Sequence, residues 1–87
     1  MKRRTYAAMI TNHATPVHTN STTTYAWNSA IRATETMMRE HARNTNTYYT
    51  GEKPQVQAAE TPQKIYTRKW LGQDGNIFEA MVWEVTA

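Results

Sequence analysis

The fold is decided by residues 64–86, which read KIYTRKWLGQDGNIFEAMVWEVT. Two runs rich in aromatic and β-branched residues flank Asp74 and Gly75, and both of these residues tolerate the positive φ that a two-residue type I′ turn requires. The pattern therefore predicts a β-hairpin, and this turn would place Leu71 opposite Phe78. The other pairs follow by counting outward from the turn.

With that register, the period-two alternation of strands divides the hairpin into two faces. One face carries Ile65, Thr67, Lys69, Leu71, Phe78, Ala80, Val82 and Glu84. The other carries Tyr66, Arg68, Trp70, Ile77, Glu79, Met81, Trp83 and Val85. Both are partly apolar, whereas a hairpin with one solvated face alternates cleanly between apolar and polar residues. We expect one face to pack on the core and the other to contact a partner. The alternatives are a hairpin buried on both sides and a register displaced by one residue.

Length and composition predict a single domain over residues 1–87, large enough for one helix on one small sheet. The chain has no cysteine, so it can form neither a disulfide nor a thiolate zinc site. Residues 50–54, TGEKP, resemble the linker between zinc fingers of the two-cysteine, two-histidine type, but those fingers need thiolates that this chain lacks. We therefore expect no zinc-finger metal site.

The formal net charge of +3 favours anionic partners only weakly, since the positive residues are spread along the chain. The longest apolar run, residues 6–10, is far too short to cross a bilayer, and the basic N-terminus is not followed by a signal-peptide apolar stretch. These features predict an intracellular protein with no membrane contact.

A first strand is predicted over residues 4–11, because this run is short, rich in apolar residues and followed by breaker residues such as Pro16. The polar stretch after it, residues 12–24, is expected to be a loop, with at most a brief extended piece around Val17.

A helix is predicted over residues 24–43, with N-caps available in the run of short polar residues at 20–24. Its apolar stripe, at spacings of three and four, is Trp27, Ala30, Ile31, Thr34, Met38, His41 and Ala42. Its polar stripe is Asn28, Arg32, Glu35, Arg39 and Arg43. Residues 44–63 are expected to be a long loop, in which residues 47–50 form a short strand or tuck onto the core, unless the whole segment is mobile and functional. The predicted class is α+β: a three-stranded antiparallel sheet of one strand and the C-terminal hairpin, with one amphipathic helix packed on one face.

No catalytic, metal-binding or cofactor-binding pattern emerges from the sequence. His13 and His18 lie in a predicted loop with no acidic residue nearby, and His41 belongs to the apolar stripe of the helix. Under the predicted register Glu79 and Glu84 point to opposite faces, so they cannot act as a carboxylate pair. We expect no enzymatic activity and no cofactor.

Aromatic and basic residues are the remaining candidates for a functional surface, because such residues stack bases, follow phosphates or concentrate the energy of protein interfaces. The predicted partner-binding residues are Tyr66, Arg68, Lys69, Trp70 and Trp83 on the hairpin, Tyr48 and Tyr49 in the loop, and Arg32, Arg39 and Arg43 on the helix. The alternative is that Trp70 and Trp83 form the core and that the helix arginines are a solvated face.

Residues 25–43 followed by residues 64–85 are similar, in size and in element order, to some anti-CRISPR proteins, small phage and mobile-element inhibitors that bind RNA-guided nuclease complexes. The resemblance implies a non-enzymatic, stoichiometric inhibitor that works in the cytoplasm of a bacterial host and docks on a larger protein or ribonucleoprotein complex. Two other functions stay open, a small nucleic-acid-binding domain and a homo-oligomeric structural protein, and the chain would act as a monomer or a homodimer.

Overall fold

The computed structural model describes residues 4–14, 19–58 and 64–85, and it shows one helix on one face of an antiparallel sheet. The elements, in chain order, are β1 (Thr5–Asn12), β2 (Thr19–Thr24), α1 (Trp27–Thr45), β3 (Tyr49–Gly51), β4 (Gln55–Ala58), β5 (Lys64–Gly72) and β6 (Ile77–Val85). The α+β class with a single helix on an antiparallel sheet is confirmed. The prediction of three strands is wrong, because the described residues form six.

The sheet has the strand order β2-β1-β6-β5-β3. Strand β4 also pairs with β5, on the same side as β3 but nearer the start of β5. The two strands nearest the chain ends, β1 and β6, therefore lie side by side at the centre. The short strands β3 and β4 share one long neighbour, and the break between them contains Pro54, which has no N–H to contribute to a ladder. An edge interrupted in this way is a poor template for pairing with another chain.

Two of the extra strands come from the predicted loop over residues 44–63, and one comes from the predicted loop over residues 12–24. Strand β2 is TNSTTT, which contains no apolar residue and so gives no period-two signal. Its threonines nonetheless suit a strand, since they are β-branched, and an edge strand needs little apolar surface. The piece expected around Val17 falls outside the described residues.

The helix begins three residues later than predicted and ends two residues later, at Thr45. The possible N-cap residues, 20–24, belong to β2, which extends through Thr24, so they do not cap the helix. The hydroxyl of Thr24 donates to the carbonyl of Ala26 (2.9 Å) and accepts from its N–H (3.3 Å), and no side chain caps the helix. At the other end Asn46 is left-handed (φ 50°), a conformation common where helices end.

The hairpin forms as predicted, but its register differs by one residue. The loop contains three residues, 73–75, because the N–H of Gly72 donates to the carbonyl of Asn76 (2.9 Å) and that of Gly75 donates to Gly72 (3.0 Å). Gly75 has φ 87°, as the last residue of a three-residue loop with a bulge requires. The carboxylate of Asp74 accepts from the backbone N–H and the side-chain amide of Asn76, both at 3.0 Å, which favours this loop over the two-residue turn.

The displaced register turns β5 over relative to β6, since a shift by one residue exchanges the faces of a strand. Trp70 now pairs with Phe78, and Tyr66 with Val82. Side chains of these four residues face the helix together with Ala8 and Ile10 of β1. The other face of the sheet, on which the described residues place no helix, carries the odd-numbered residues of β1, β5 and β6 and is called the open face below.

The core lies between α1 and the helix side of the sheet, where alanines allow close approach. Its buried apolar residues are Ala8, Ile10, Ala30, Met38, Tyr49, Tyr66, Phe78, Ala80 and Val82. The predicted apolar stripe of the helix is confirmed: Ala30, Thr34 and Met38 are buried, and its other members are half-buried. Thr34 satisfies its buried hydroxyl by donating to the carbonyl of Ile31 (2.6 Å).

Helix α1 is the one helix in the described ranges, and it is not apolar enough to cross a membrane.

Candidate partner-binding groove

The predicted hairpin patch does not exist as one surface. Tyr66 is only 3% exposed and lies in the core beneath the helix. Trp83 lies on the open face, opposite to Tyr66, Arg68 and Trp70, because of the displaced register. Lys69 is exposed on the same open face as Trp83. The aromatic and basic residues of the hairpin are thus divided between two sides of the sheet.

Arg68 makes its described contacts within the protein and not on a free surface. Its guanidinium carbon lies 4.3 Å from the centre of the Trp70 ring, and its Nε–H donates to the carbonyl of Glu52 (2.7 Å). A cation over an indole face is attractive, and it occupies a surface on which a base could otherwise stack. A Cβ added at Gly51 would lie 2.6 Å from an Nη atom of this guanidinium, so the glycine leaves the space that Arg68 occupies.

Several other predicted residues are brought together in a groove between the second half of α1 and the start of β3. The groove has a volume of about 380 Å³ and is mainly apolar. It is lined by Glu35, Met38, Arg39, Ala42, Thr47, Tyr48, Tyr49 and Trp70. This volume is within the range of sites that hold small ligands or an inserted side chain. Of the predicted partner-binding residues, Arg39, Tyr48, Tyr49 and Trp70 are therefore neighbours.

Tyr49 holds one wall of the groove in place. It is buried, its ring packs edge-on against Phe78 (centroids 5.6 Å apart, 89° between planes), and His41 lies beside both rings. Its hydroxyl donates to Asp74 at 3.4 Å. Strand alternation then directs Tyr48, the residue before it, outward, and its side chain is 67% exposed. The adjacent tyrosines therefore have different roles, one in the core and one at the rim.

The helix arginines form an exposed row beside this groove. Arg32, Arg39 and Arg43 are separated by seven and four residues, which places them on one side of an α-helix, and all three are exposed. Arg39 is the member that lines the groove. The groove lining itself carries one charge of each sign, Arg39 and Glu35, whereas Arg32 and Arg43 add positive charge along the same side of the helix outside it. An apolar groove beside this row suits an acidic partner that contributes an apolar side chain.

The indole Nε1–H of Trp70 is buried and has no hydrogen-bond partner within the described residues. A buried donor without an acceptor costs about 1–3 kcal/mol. An unpaired buried donor calls for a specific explanation, such as a functional role or a bound water. Trp70 is thus both a wall of the groove and its least satisfied residue.

Burial raises the pKa of two tyrosines. The pKa of Tyr49 is raised by burial and by the nearby charge of Asp74, and that of Tyr66 is raised by burial although the charge of Arg68 opposes the change. Neither side chain is a nucleophile or a general base in this setting, because each keeps its proton at neutral pH.

These shifts predict a loss of stability in alkali. Below about pH 10 the tyrosines carry their protons in both states, and as the pH rises further they ionise first in the unfolded chain. The free energy of unfolding should therefore fall from about pH 10 until the folded-state pKa values are passed. Urea unfolding measured at a series of pH values should show this slope, and the double variant Tyr49→Phe/Tyr66→Phe should flatten it. An unchanged slope in that variant would contradict the assignment.

The groove was only partly predictable. Helical spacing places its floor residues Met38 and Ala42 in the apolar stripe, and nothing in the sequence marks Glu35 or Thr47 as site residues. The one sequence feature that marks it is the pair of tyrosines directly after the helix, since two aromatic residues in a polar segment need burial or a partner. No group of three His, Asp or Glu side chains capable of holding a metal occurs in the part of the chain that the structure describes.

Comparisons of the chain with protein-family models, with curated proteins and with solved structures find no match. The geometry of the groove and of the sheet faces therefore carries the functional argument.

Proposed function

We propose that this is a non-enzymatic binding protein whose groove docks on an acidic surface of a larger protein and receives an apolar side chain from it. The observation that carries the proposal is the convergence of Trp70, Tyr48 and Arg39 on one apolar groove. Trp, Tyr and Arg are the residue types that most often concentrate binding energy at protein interfaces. The net charge of +3 favours an acidic partner.

Nucleic-acid binding is less well supported by the same residues. A single-strand binder needs exposed aromatic faces beside a basic track. Here Tyr66 is buried, and Arg68 covers a face of Trp70. Among the groove's aromatic residues, Tyr48 at the rim is the most exposed one described.

A salt titration separates these two functions. We expect no binding of a 20-nucleotide single-stranded RNA or DNA probe, measured by fluorescence anisotropy, at protein concentrations up to about 100 μM in physiological salt. Tight binding that weakens steeply with added salt would contradict docking on a protein and would support the nucleic-acid function.

The specific form of docking that we propose is stoichiometric inhibition of an RNA-guided nuclease. Its support is the resemblance to anti-CRISPR proteins in size and element order, together with the row of helix arginines beside the groove, which would face an acidic protein surface. The test is a panel of purified RNA-guided nucleases, each loaded with guide and supplied with target DNA. Cleavage by a susceptible nuclease should fall in proportion to added protein and stop near one equivalent. Full cleavage by every member at excess protein would contradict the inhibitor form.

Variants of the rim test the groove itself. Arg39→Glu combined with Tyr48→Ala should weaken inhibition by about 30-fold or more, because each removes an exposed residue of a hot-spot type without disturbing the core. The matched control is Arg32→Glu, which changes the net charge equally on the same helix but outside the groove lining. Equal loss from Arg32→Glu would show that overall charge, and not the groove, governs binding.

A further inference from the structure

The open face is unusually apolar at its centre for a sheet surface on which the described residues place no helix. Its central part is a continuous patch in which Met9 pairs with Met81, and Trp83 lies between Ala7 and Ile65. Leu71, Ile77 and Val85 add to this face and are exposed by 42%, 37% and 39%. The side of an antiparallel sheet that faces water normally carries polar residues, so a face with this apolar centre marks an interaction surface.

The charges on the open face balance. Lys69 and Glu79, which pair directly across β5 and β6, are the charged residues that the described strands place there. The chain as a whole carries +3, so its excess positive charge lies elsewhere. A surface that is apolar, neutral and bears one charge of each sign can meet its own copy about a two-fold axis without repulsion, since each Lys69 can approach the Glu79 of the other copy.

The size of the open face is also adequate for a dimer. With β2 on one side and the short strands β3 and β4 on the other, this side of the sheet spans five columns, which at about 4.8 Å between strands and about 3.3 Å per residue give roughly 600 Å² per copy. A stable protein–protein interface buries about 800 Å² per partner, and weaker ones bury less. Two sheets stacked face to face at about 10 Å would form the two layers of a sandwich.

We infer that the open face binds a second copy of this chain, so that the protein is a dimer in which two sheets pack face to face and both helices lie outside. The groove opens on the helix side of the sheet, and the dimer therefore leaves both grooves accessible. The inference does not depend on the proposed function, because it concerns the opposite face of the sheet. It would make the protein bivalent toward its partner.

The first test is the mass in solution. Sedimentation equilibrium should give twice the 10.0 kDa of one chain, with dissociation on dilution. Met81→Lys, at the centre of the open face, should give a folded monomer, and Thr36→Lys, the same charge change on the exposed side of α1, should leave the dimer intact. A wild-type monomer at concentrations up to about 100 μM would overturn the inference. Equal behaviour of the two lysine variants would overturn it as well.

A charge-reversal experiment tests whether the partner is a second copy. Lys69→Glu gives the face two negative charges, and Glu79→Lys gives it two positive charges, so each variant alone should dimerise about 10-fold more weakly than the wild type. An equimolar mixture should recover the wild-type affinity, because the two altered faces are complementary. Lys69 and Glu79 are cross-strand neighbours at the surface, so neither change should destabilise the fold much, which thermal melting can verify. A mixture that associates no better than either variant alone would overturn the inference.

Discussion

Replacing Phe78 with alanine is expected to lower the free energy of unfolding by about 3–5 kcal/mol. Phe78 is 3% exposed, its ring centre lies 4.5 Å from that of His41 and 5.6 Å from that of Tyr49, and it faces Trp70 across the hairpin. Its removal leaves a cavity between helix and sheet that these rings cannot close without breaking other contacts. A domain of this length has a total stability of roughly 4–13 kcal/mol, so much of the population should be unfolded under mild stress.

Urea unfolding followed by tryptophan fluorescence measures this loss. The matched control is Ile77→Ala, one residue earlier on the same strand, which should cost less than about 1 kcal/mol at a low protein concentration because its side chain is on the open face. A larger loss from Ile77→Ala than from Phe78→Ala would mean that β6 presents its other side to the helix.

The second large effect is expected from Gly72→Val at the end of β5. A Cβ at this position would lie 2.5 Å from Oδ1 of Asp74 and 2.6 Å from Cε1 of Tyr49, and that tyrosine ring cannot move without leaving the core. The loss should be about 3 kcal/mol, since the variant must displace either the turn carboxylate or the wall of the groove. Binding of the partner should weaken in parallel, because Tyr49 holds the neighbouring Tyr48 at the rim of the groove.

The turn offers a control in Gly75, whose φ of 87° is left-handed and around which nothing lies within 4 Å. Gly75→Asn should cost about 1 kcal/mol or less, because asparagine tolerates this conformation better than other side chains do and has room. Thermal melting of the two variants separates the effects of space and backbone. If Gly75→Asn proved the more harmful change, the three-residue loop would be wrongly placed.

The helix and the hairpin could be predicted because each depends on local patterns. The spacing of Trp27, Ala30, Thr34 and Met38 marks a helix whatever its partner is. The Asp74-Gly75 pair marks a turn between two β-rich runs. Of the three extra strands, β3 lies where a short strand is one of the alternatives for residues 47–50, whereas β2 and β4 could not be predicted in this way. Strand β2 is polar throughout, and β3 and β4 contain three and four residues, so their pairing depends on neighbours distant in sequence.

The site was harder to predict than the fold, because one residue of register exchanges the two faces of β5. The predicted patch of Tyr66, Arg68, Trp70 and Trp83 required a two-residue turn. The carboxylate of Asp74 instead accepts two hydrogen bonds from Asn76 in a three-residue loop. Trp83 then moves to the open face and Tyr66 into the core, while Trp70 joins Tyr48 and Arg39 at a groove that is built from three separate segments of the chain.

By itself, the sequence determined a cysteine-free α+β domain with one amphipathic helix and a C-terminal hairpin. These features follow from composition, from the spacing of apolar residues and from the residue types at the turn, all of which are local in the chain. Only the tertiary structure decided which side of each strand meets the helix, that six strands form the sheet, and where a groove is left between them. The reason is physical: periodicity shows that a strand has two faces, but the hydrogen bonds of the turn and the packing of distant strands select which face is buried.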